Sequence, residues 1–195
     1  MKGRESGMPD ADYWNTFFDA PGILKRLRVA PGGDESVVEF GGGYGTFTLP
    51  LARMTTGKIV ALDIEPELVT SLGHTARAAG LGNVDVIERD FVSHGTGLAD
   101  SSVDRALLFN ILHIEDPVGL LREAHRVLKP GGTAAVIHWR RDIDTPRGPS
   151  MDIRPSPEQC ADWARQAGFW YSSVIDLGNA ARWHFGLILS MPAQA

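Results

Sequence analysis

The sequence predicts an α/β fold with a mostly parallel sheet and helices on both of its faces. Short apolar runs of strand length recur along the chain, and helical patterns lie between most of them. This alternation is typical of βαβ units, in which a helix returns the chain to the next parallel strand. The predicted parallel strands cover residues 37–40, 58–63, 84–88, 103–109 and 133–139.

The helices between these strands carry their own start and stop signals. Asp116 precedes Pro117, which places a capping carboxylate before a proline at the first helical position. Glu65 and Pro66 begin another helix, with Gly80 as its predicted end. The segment 93–100 is short and rich in glycine, so we expect the helix between the third and fourth strands to be either missing or reduced.

The region after residue 140 has a different pattern. Residues 140–155 contain arginines, aspartates and prolines and predict a polar loop over one end of the sheet. A capping box at Ser156 and Gln159 then begins a helix that ends at Gly168. Two further strands, 171–177 and 183–190, are joined by a short connection, which favours an antiparallel hairpin at the sheet edge and a total of seven strands.

Length and composition limit the classes of protein to which the chain can belong. Its 195 residues, 43% of them hydrophobic, suffice for one domain with its own core. The formal charge of −5 argues against binding nucleic acid, and no apolar run approaches membrane-spanning length. The single cysteine, Cys160, excludes a disulfide framework within the chain. We therefore expect one cytoplasmic domain over residues 1–195 that binds neither nucleic acid nor a membrane.

A glycine-rich turn follows the first predicted strand. Gly41, Gly43 and Gly45 alternate with other residues between Glu39 and a helical segment that begins near Phe47. Glycine in such a turn permits positive φ angles and lets a ligand approach bare backbone. A tight strand-to-helix connection without a ligand is the alternative.

Acidic residues follow the next two strands at the same predicted edge. Asp63 ends the second strand and can accept hydrogen bonds from ribose hydroxyls, or it can simply cap the helix that follows. Asp90 and Phe91 follow the third strand and would offer a hydrogen-bonding group and an apolar plane to a purine. Since open α/β sheets bind ligands at the carboxyl ends of their strands, these features predict a nucleoside site.

The chain resembles the class I S-adenosylmethionine-dependent methyltransferases, in particular the type 11 or ubiquinone/menaquinone-biosynthesis-like group. The resemblance covers roughly residues 35–190. It is carried by the acidic-x-Gly-x-Gly-x-Gly run from Glu39 to Gly45, by Asp63, by the Asp90-Phe91 pair, and by residues 103–117 and 120–132. It implies a Rossmann-like seven-stranded sheet and S-adenosylmethionine as cofactor.

The resemblance also implies roles for individual residues. Glu39 would hold the methionine ammonium, directly or through water, while Gly41, Gly43 and Gly45 form the bare turn around the methionine and ribose. Asp63 would bind the ribose and Asp90 the exocyclic amine. Ile64 and Phe91 would contact adenine, and Asn110 would lie near the methionine portion and the transferred methyl.

The reaction implied is in-line displacement at the sulfonium methyl, in which the protein mainly orients the reactants and excludes water. An acceptor that must lose a proton requires a base, and histidine titrates nearest to neutral pH. His113 and His138 are the candidates, and histidines bonded within the loop or against the sheet are the alternative. We expect no metal, because no defensible ligand spacing is present.

The acceptor pocket must come from segments outside the cofactor-binding core, which we assign to residues 35–140. We expect a helical lid within residues 1–30, where Tyr13 and Trp14 are candidates for contact with the acceptor. The loop 141–155, with Trp139 and Arg140 before it, would form the opposite wall, and residues 156–195 complete the domain. The aromatic side chains could instead only pack the lid on the sheet.

Two functions compete with methyl transfer to a small-molecule acceptor. The chain could be a regulatory or partner subunit that binds S-adenosylmethionine without catalysis, since no catalytic residue is assured. An NAD(P)-dependent oxidoreductase is disfavoured because Thr46 occupies the place of the last glycine in the G-x-G-x-x-G pattern. The acceptor, the atom methylated and the choice between monomer and homodimer stay open.

Overall fold

The computed structural model describes residues 9–29 and 33–191, so the ends of the predicted lid and of the C-terminal segment lie outside the described residues. A single seven-stranded sheet has the strand order β3-β2-β1-β4-β5-β7-β6. The strands are β1 (Val37–Phe40), β2 (Ile59–Asp63), β3 (Val84–Glu88), β4 (Val103–Phe109), β5 (Leu128–Trp139), β6 (Tyr171–Ile175) and β7 (His184–Ser190). β7 is antiparallel to both of its neighbours and every other pairing is parallel, which confirms the predicted sheet and C-terminal hairpin.

Seven α-helices connect the strands in the part of the chain that the structure describes. They are α1 (Ala11–Asn15), α2 (Ala20–Arg26), α3 (Thr48–Met54), α4 (Pro66–Ala78), α5 (Phe91–His94), α6 (Pro117–Val127) and α7 (Pro157–Ala167). α5 is the reduced helix expected between β3 and β4. None of these helices is long and apolar enough to cross a membrane.

The predicted helix caps form as expected at the positions that the structure tests. Asp116 Oδ1 accepts the Gly119 N–H at 2.8 Å, and Ser156 forms a capping box with Gln159. Gly168 ends α7 in the left-handed conformation, with φ of 104°. These local bonds satisfy backbone groups that a helix end leaves unpaired, so the sequence signals act as expected.

Two apolar clusters occupy opposite faces of the sheet, because successive strand residues point to opposite sides. Val38 and Phe40 of β1 lie in the cluster covered by α6 and α7, whereas Val37 lies in the cluster covered by α2 and α3. The carboxyl ends of the central strands therefore open between two helix-covered layers, where a ligand can reach them.

β5 begins earlier than predicted. The strand starts at Leu128 rather than at residue 133, and its pairing with β4 shifts register between Val103 and Arg105. Gly131 adopts φ of 77° inside this irregular stretch. The Pro-Gly-Gly sequence therefore marks an irregularity at the start of the strand rather than a separate loop.

Candidate active site

The turn after β1 has the bare backbone that its glycines predict. Gly41, Gly43 and Gly45 have φ of 82°, 52° and 79°, in the region that side chains disfavour. A Cβ on Gly45 would lie 2.4 Å from Cδ1 of Leu72, a distance that forces one of them to move. The turn therefore requires glycine for its conformation and, at Gly45, for its packing.

Asp63, at the carboxyl end of β2, supports this turn. Its Oδ2 accepts the Gly43 N–H at 2.8 Å, and its Oδ1 accepts the Glu65 N–H at 3.0 Å. A carboxylate has about four lone-pair positions, so further positions remain for a ligand's hydroxyl groups. The helix-cap alternative and the ligand role of Asp63 are thus compatible.

Glu39, near the end of β1, is almost completely buried. Thr48, in the first turn of α3, donates its hydroxyl to Glu39 Oε2 at 2.5 Å. Burial raises the pKa of Glu39 to about 8, although the Thr48 hydrogen bond lowers it; the charge of Asp63 raises it further. A nearby cation favours the ionised form of a carboxyl group. Binding of a cationic ligand would therefore lower the pKa of Glu39 and release its proton.

Asn110, just after β4, has an unusual backbone and an unsatisfied side chain. Its φ is 56°, one of three positive values among the described non-glycine residues, and its N–H donates to the Ile137 carbonyl at 2.7 Å. Both polar atoms of its amide are buried and have no hydrogen-bond partner among residues 9–29 and 33–191. Buried polar groups are normally paired, so this amide is suited to a ligand.

These features surround one cavity of about 170 Å³. The N-terminal segment covers part of it: Tyr44 donates its hydroxyl to the Pro9 carbonyl at 2.8 Å, and Thr46 donates to Asn15 Oδ1 at 2.8 Å. The lining residues are Trp14, Glu39, Phe40, Gly41, Gly42, Gly43, Tyr44, Thr46, Phe47, Asp63, Phe109, Asn110 and Ile111.

Four predicted cofactor residues lie outside this lining. Gly45 is in the glycine-rich turn described above, and the other three are Ile64, Asp90 and Phe91. Ile64 is half-buried beside Asp63. Asp90 caps α5 by accepting the Ser93 N–H at 2.9 Å. Phe91 is buried in the core, with its ring 5.4 Å from that of Phe40 in an edge-to-face contact. The Phe91 ring thus packs into the core at this edge of the sheet, and its contact with a purine stays a prediction.

The two candidate bases form a buried pair. His138 Nδ1 lies 3.3 Å from the Trp139 carbonyl oxygen, and His138 Nε2 lies 3.2 Å from His113 Nδ1. Since a carbonyl only accepts, we assign the His138 proton to Nδ1, so that His138 Nε2 accepts from His113. Burial lowers the pKa of His138 to about 3, and His113 acts in the same direction. Neither ring is part of the described cavity wall.

The predicted acceptor-side residues separate into different environments. Trp14 lines the cavity, while Tyr13 is 43% exposed. Trp139 is buried, with its ring 6.4 Å from that of Trp14 and 4.1 Å from that of His184. Arg140 forms a bidentate ion pair with Asp142 and lies at a separate cavity of about 510 Å³. Of these four residues, the structure brings only Trp14 to the glycine-rich turn.

Sequence reasoning missed several residues of the site. Thr48 could not be recognised from the sequence, because its contact with Glu39 depends on where the first turn of α3 lies relative to β1. Tyr44 and Thr46 lie within the glycine-rich motif, but their partners are in α1 and the residues before it. The rings of Phe47 and Phe109, 4.6 Å apart, form an aromatic part of the wall.

Comparisons with known proteins agree with this geometry. Residues 37–132 match the family described as a methyltransferase domain. Cycloartenol-C-24-methyltransferase 1 of Oryza sativa subsp. japonica is 29% identical over 165 residues, 75% of this chain and 46% of that protein. The ubiquinone/menaquinone biosynthesis C-methyltransferase UbiE of Escherichia coli O1:K1 is 28% identical over 137 residues, 67% of this chain and 54% of that protein. The chain thus spans about half the length of these curated relatives.

A solved structure shares the fold. The structure of an S-adenosylmethionine-dependent methyltransferase from Aquifex aeolicus aligns with a TM-score of 0.80 and 24% identity, covering 93% of this chain and 94% of that one. Fold, site and family match together define a class I methyltransferase domain of the S-adenosylmethionine-dependent family. This domain is similar to that of the UbiE-like proteins, in the type 11 group.

The cofactor of this family is S-adenosylmethionine, and the residues present fit it. The positive-φ glycines leave a bare cradle, Asp63 keeps positions for hydroxyl groups, and the buried carboxyl of Glu39 suits an ammonium. The unpaired amide of Asn110 offers a further polar contact at the same cavity. Chemistry and placement thus agree with the family's cofactor.

Proposed function

We propose that this protein transfers the methyl group of S-adenosylmethionine to a small-molecule acceptor. The cofactor supplies a methyl group already activated by a positive sulfur, so the protein's task is to bind, orient and exclude water. The observation that carries the proposal is the cavity at the ends of β1, β2 and β4, where two acids, a glycine cradle and an unpaired amide meet.

Residue roles follow from these contacts. We assign Glu39 to the methionine ammonium, Asp63 to the ribose hydroxyls, and the turn containing Gly41, Gly43 and Gly45 to the cofactor's close approach to the backbone. Asn110 would lie by the methionine portion and the transferred methyl. Trp14 closes the cavity from α1.

Contacts at the adenine end extend beyond the cavity wall. We assign Asp90 to the exocyclic amine and Ile64 to the adenine face, with Phe91 supporting this edge from the core through Phe40. His113, oriented by His138, is our candidate for receiving an acceptor's proton. We also propose that the protein acts in the cytoplasm.

Calorimetry with S-adenosylhomocysteine tests the cofactor site, and NADH serves as the competing ligand. We expect heat from S-adenosylhomocysteine only; a folded protein that binds NADH instead would indicate the oxidoreductase. Ligand at 100 times its Kd should also stabilise the protein by about 2.7 kcal/mol.

Transfer of a labelled methyl group into a panel of phenols, thiols, amines and quinone precursors tests catalysis. We expect label in at least one acceptor. S-adenosylhomocysteine binding without transfer to any member would favour the non-catalytic binding subunit.

A further inference from the structure

Thr48 carries a buried hydroxyl to which the cofactor assignments above give no role. It is the first residue of α3, and its side chain has no exposed surface. Its hydroxyl donates to Glu39 Oε2 at 2.5 Å, although Thr48 itself does not line the described cavity. The bond therefore joins a residue that can reach a ligand in the cavity to one that lies behind the cavity wall.

The backbone fixes the Thr48 hydroxyl beside the glycine-rich turn. Leu49 donates its N–H to the Gly45 carbonyl at 3.0 Å, which ties the first turn of α3 to the end of that turn. A Cβ on Gly42 would lie 3.8 Å from Thr48 Oγ1, so the hydroxyl is close to the middle of the turn as well. These contacts set the position of the hydroxyl before any ligand binds.

The bond to Thr48 gives the two carboxyl oxygens of Glu39 different surroundings. Oε2 accepts the hydroxyl, whereas Oε1 has no hydrogen-bond partner among residues 9–29 and 33–191. Glu39 lines the cavity, and a carboxylate oxygen can accept further hydrogen bonds. Because one oxygen is held by a fixed donor, rotation of the carboxyl is restricted, and Oε1 is the oxygen that remains for a cationic group.

Thr48 also opposes the other influences on the charge of Glu39. Burial is the largest cause that raises the pKa of Glu39, and the charge of Asp63 acts in the same direction. The hydrogen bond from Thr48 lowers that pKa, because a donor stabilises the ionised carboxyl. Across the sheet Glu39 pairs with Ala61 and Leu107, which are apolar. The remaining charged side chains of α2, α3 and β4 are exposed or have other partners, and these are Lys25, Arg26, Arg53, Asp104 and Arg105.

We propose that Thr48 is a positioning residue of the cofactor site, whose hydroxyl orients the Glu39 carboxyl and stabilises its ionised form when the ammonium group of the cofactor binds. The inference rests on the proposed function and adds a residue that acts on the cofactor only through Glu39. The hydroxyl and the ammonium favour the same charged form of the carboxyl, so each should strengthen the other. Loss of the hydroxyl should therefore weaken binding of the ammonium-bearing portion alone.

Two ligands separate this role from a merely structural one. S-adenosylhomocysteine carries the ammonium, whereas 5′-methylthioadenosine keeps the adenine, the ribose and the thioether but lacks the amino-acid portion. Each is titrated calorimetrically into the parent protein and into Thr48→Val, which keeps the shape of the side chain and removes the hydroxyl. At pH 7 we expect the variant to bind S-adenosylhomocysteine about tenfold more weakly and to change the Kd of methylthioadenosine less than about twofold.

The pH profile of binding gives a second readout. In the parent protein the affinity for S-adenosylhomocysteine should rise with pH as Glu39 loses its proton, and the curve should bend at about pH 8. In Thr48→Val we expect this bend to move upwards by about one pH unit, which corresponds to the tenfold loss at pH 7. The affinity for methylthioadenosine should not follow this curve in either protein.

Two further variants and a control complete the test. Thr48→Ser keeps the hydroxyl and should retain the parent's pH profile. Thr48→Ala removes the hydroxyl without adding a methyl group, and it should shift the profile as Thr48→Val does, so it serves if the valine variant does not fold. Thr75→Val is the matched control, because Thr75 is exposed in α4 and donates its hydroxyl to the Ser71 carbonyl at 3.0 Å. It should leave both affinities unchanged.

Three outcomes would overturn the proposal while leaving the cofactor site intact. The variants without the hydroxyl could keep the parent's affinity and pH profile, they could lose methylthioadenosine as much as S-adenosylhomocysteine, or Thr48→Ser could behave as Thr48→Val does. If the folded parent protein binds neither ligand, both this inference and the proposed function fail. The titrations of the parent protein thus separate the two failures.

Discussion

The two halves of the sheet's carboxyl edge are built from different groups. Over β1 and β2, the buried acids Glu39 and Asp63 bond to the first turn of α3 and to the glycine-rich turn. Over β5 and β7, the buried polar groups are the basic residues His138, Arg154 and His184, among aromatic rings. The first half is suited to a cation and hydroxyl groups, and the second to forming a rigid wall. Substitutions should therefore impair binding in the first half and stability in the second.

The largest effect on stability is expected at Arg154, which fastens the loop after β5. Its guanidinium donates to the carbonyls of Pro149, Arg140 and Arg147 and to the Thr145 hydroxyl, at 2.7–3.1 Å. Arg154→Met would leave these acceptors without their donor, and we expect a loss of about 3 kcal/mol in the free energy of unfolding, measured with urea.

Arg165→Met is the control for that substitution, because the Arg165 side chain is 69% exposed. It should change the free energy of unfolding by less than about 0.5 kcal/mol. Equal losses in the two variants would show that the bonds of Arg154 do not stabilise the loop.

In the first half, Asp63→Ala should act on binding. The substitution removes the acceptor of the Gly43 N–H and the proposed partner of the ribose, so we expect the Kd of S-adenosylhomocysteine to rise about a hundredfold. Asp85→Ala, at a carboxylate 52% exposed and paired with Lys58, is the matched control and should leave the Kd unchanged. An unchanged Kd in Asp63→Ala would remove the assigned role.

A smaller effect is expected from pH through Glu39. Its pKa of about 8 means that the free protein holds this proton near neutral pH, and binding of an ammonium expels it. The affinity for S-adenosylmethionine should therefore rise about tenfold per pH unit between about pH 6 and 7.5, as measured by calorimetry. Glu39→Gln should give a flat profile; a slope retained in that variant would assign the titration to another group.

The same pKa also predicts a change in the stability of the free protein, with a definite sign. A carboxyl whose pKa is raised by folding favours the folded state below its ordinary value of 4.5, and that contribution is lost as the pH rises through about 8. In Glu39→Gln, the free energy of unfolding, measured with urea, should therefore decline less between pH 4.5 and about 8. The same variant should bind the cofactor more weakly.

The smallest effect at neutral pH is expected at His184, which lies between the rings of Trp139 and Phe18. Neither of its ring nitrogens has a hydrogen-bond partner in the part of the chain that the structure describes. Burial, His138 and Arg154 lower its pKa well below 6.5, so the unfolded chain binds this proton more readily and stability falls as the pH drops below 6.5. His184→Phe should change stability by less than about 1 kcal/mol at pH 7. Below pH 6.5, His184→Phe should also reduce the loss in the free energy of unfolding by about 1.4 kcal/mol per pH unit.

His74→Phe, at an exposed position, is the control, and its free energy of unfolding should depend on pH as that of the parent protein does. If His184→Phe loses stability on acidification as steeply as the parent protein, His184 is not the group that titrates.

The first half of the edge could be predicted from the sequence because its signals are local. Strand, glycine turn and following acid lie close together in the chain, and their conformations depend on the turn itself. The end of β2 at Asp63 and the caps at Asp116 and Gly168 were predictable for the same reason.

The second half depends on contacts between distant segments, which spacing does not reveal. Trp139 was predicted at the wall of the acceptor pocket, and strand alternation turns its ring towards the N-terminal segment, 6.4 Å from the ring of Trp14 and 5.3 Å from that of Phe17. Arg140, one residue later, pairs with Asp142 at a different cavity. The contact of the Phe91 ring with Phe40 in the core likewise has no sequence signal, because it depends on how α5 packs against β1.

The position of β7 affects how the protein can be assembled during translation. β7 follows β6 in the chain, yet it lies between β5 and β6. Until the ribosome has released residues 184–190, β5 lacks its neighbour on that side, and β6 has no strand beside it. Nascent chains stalled before residue 184 should therefore present an open strand border that invites pairing with other polypeptides.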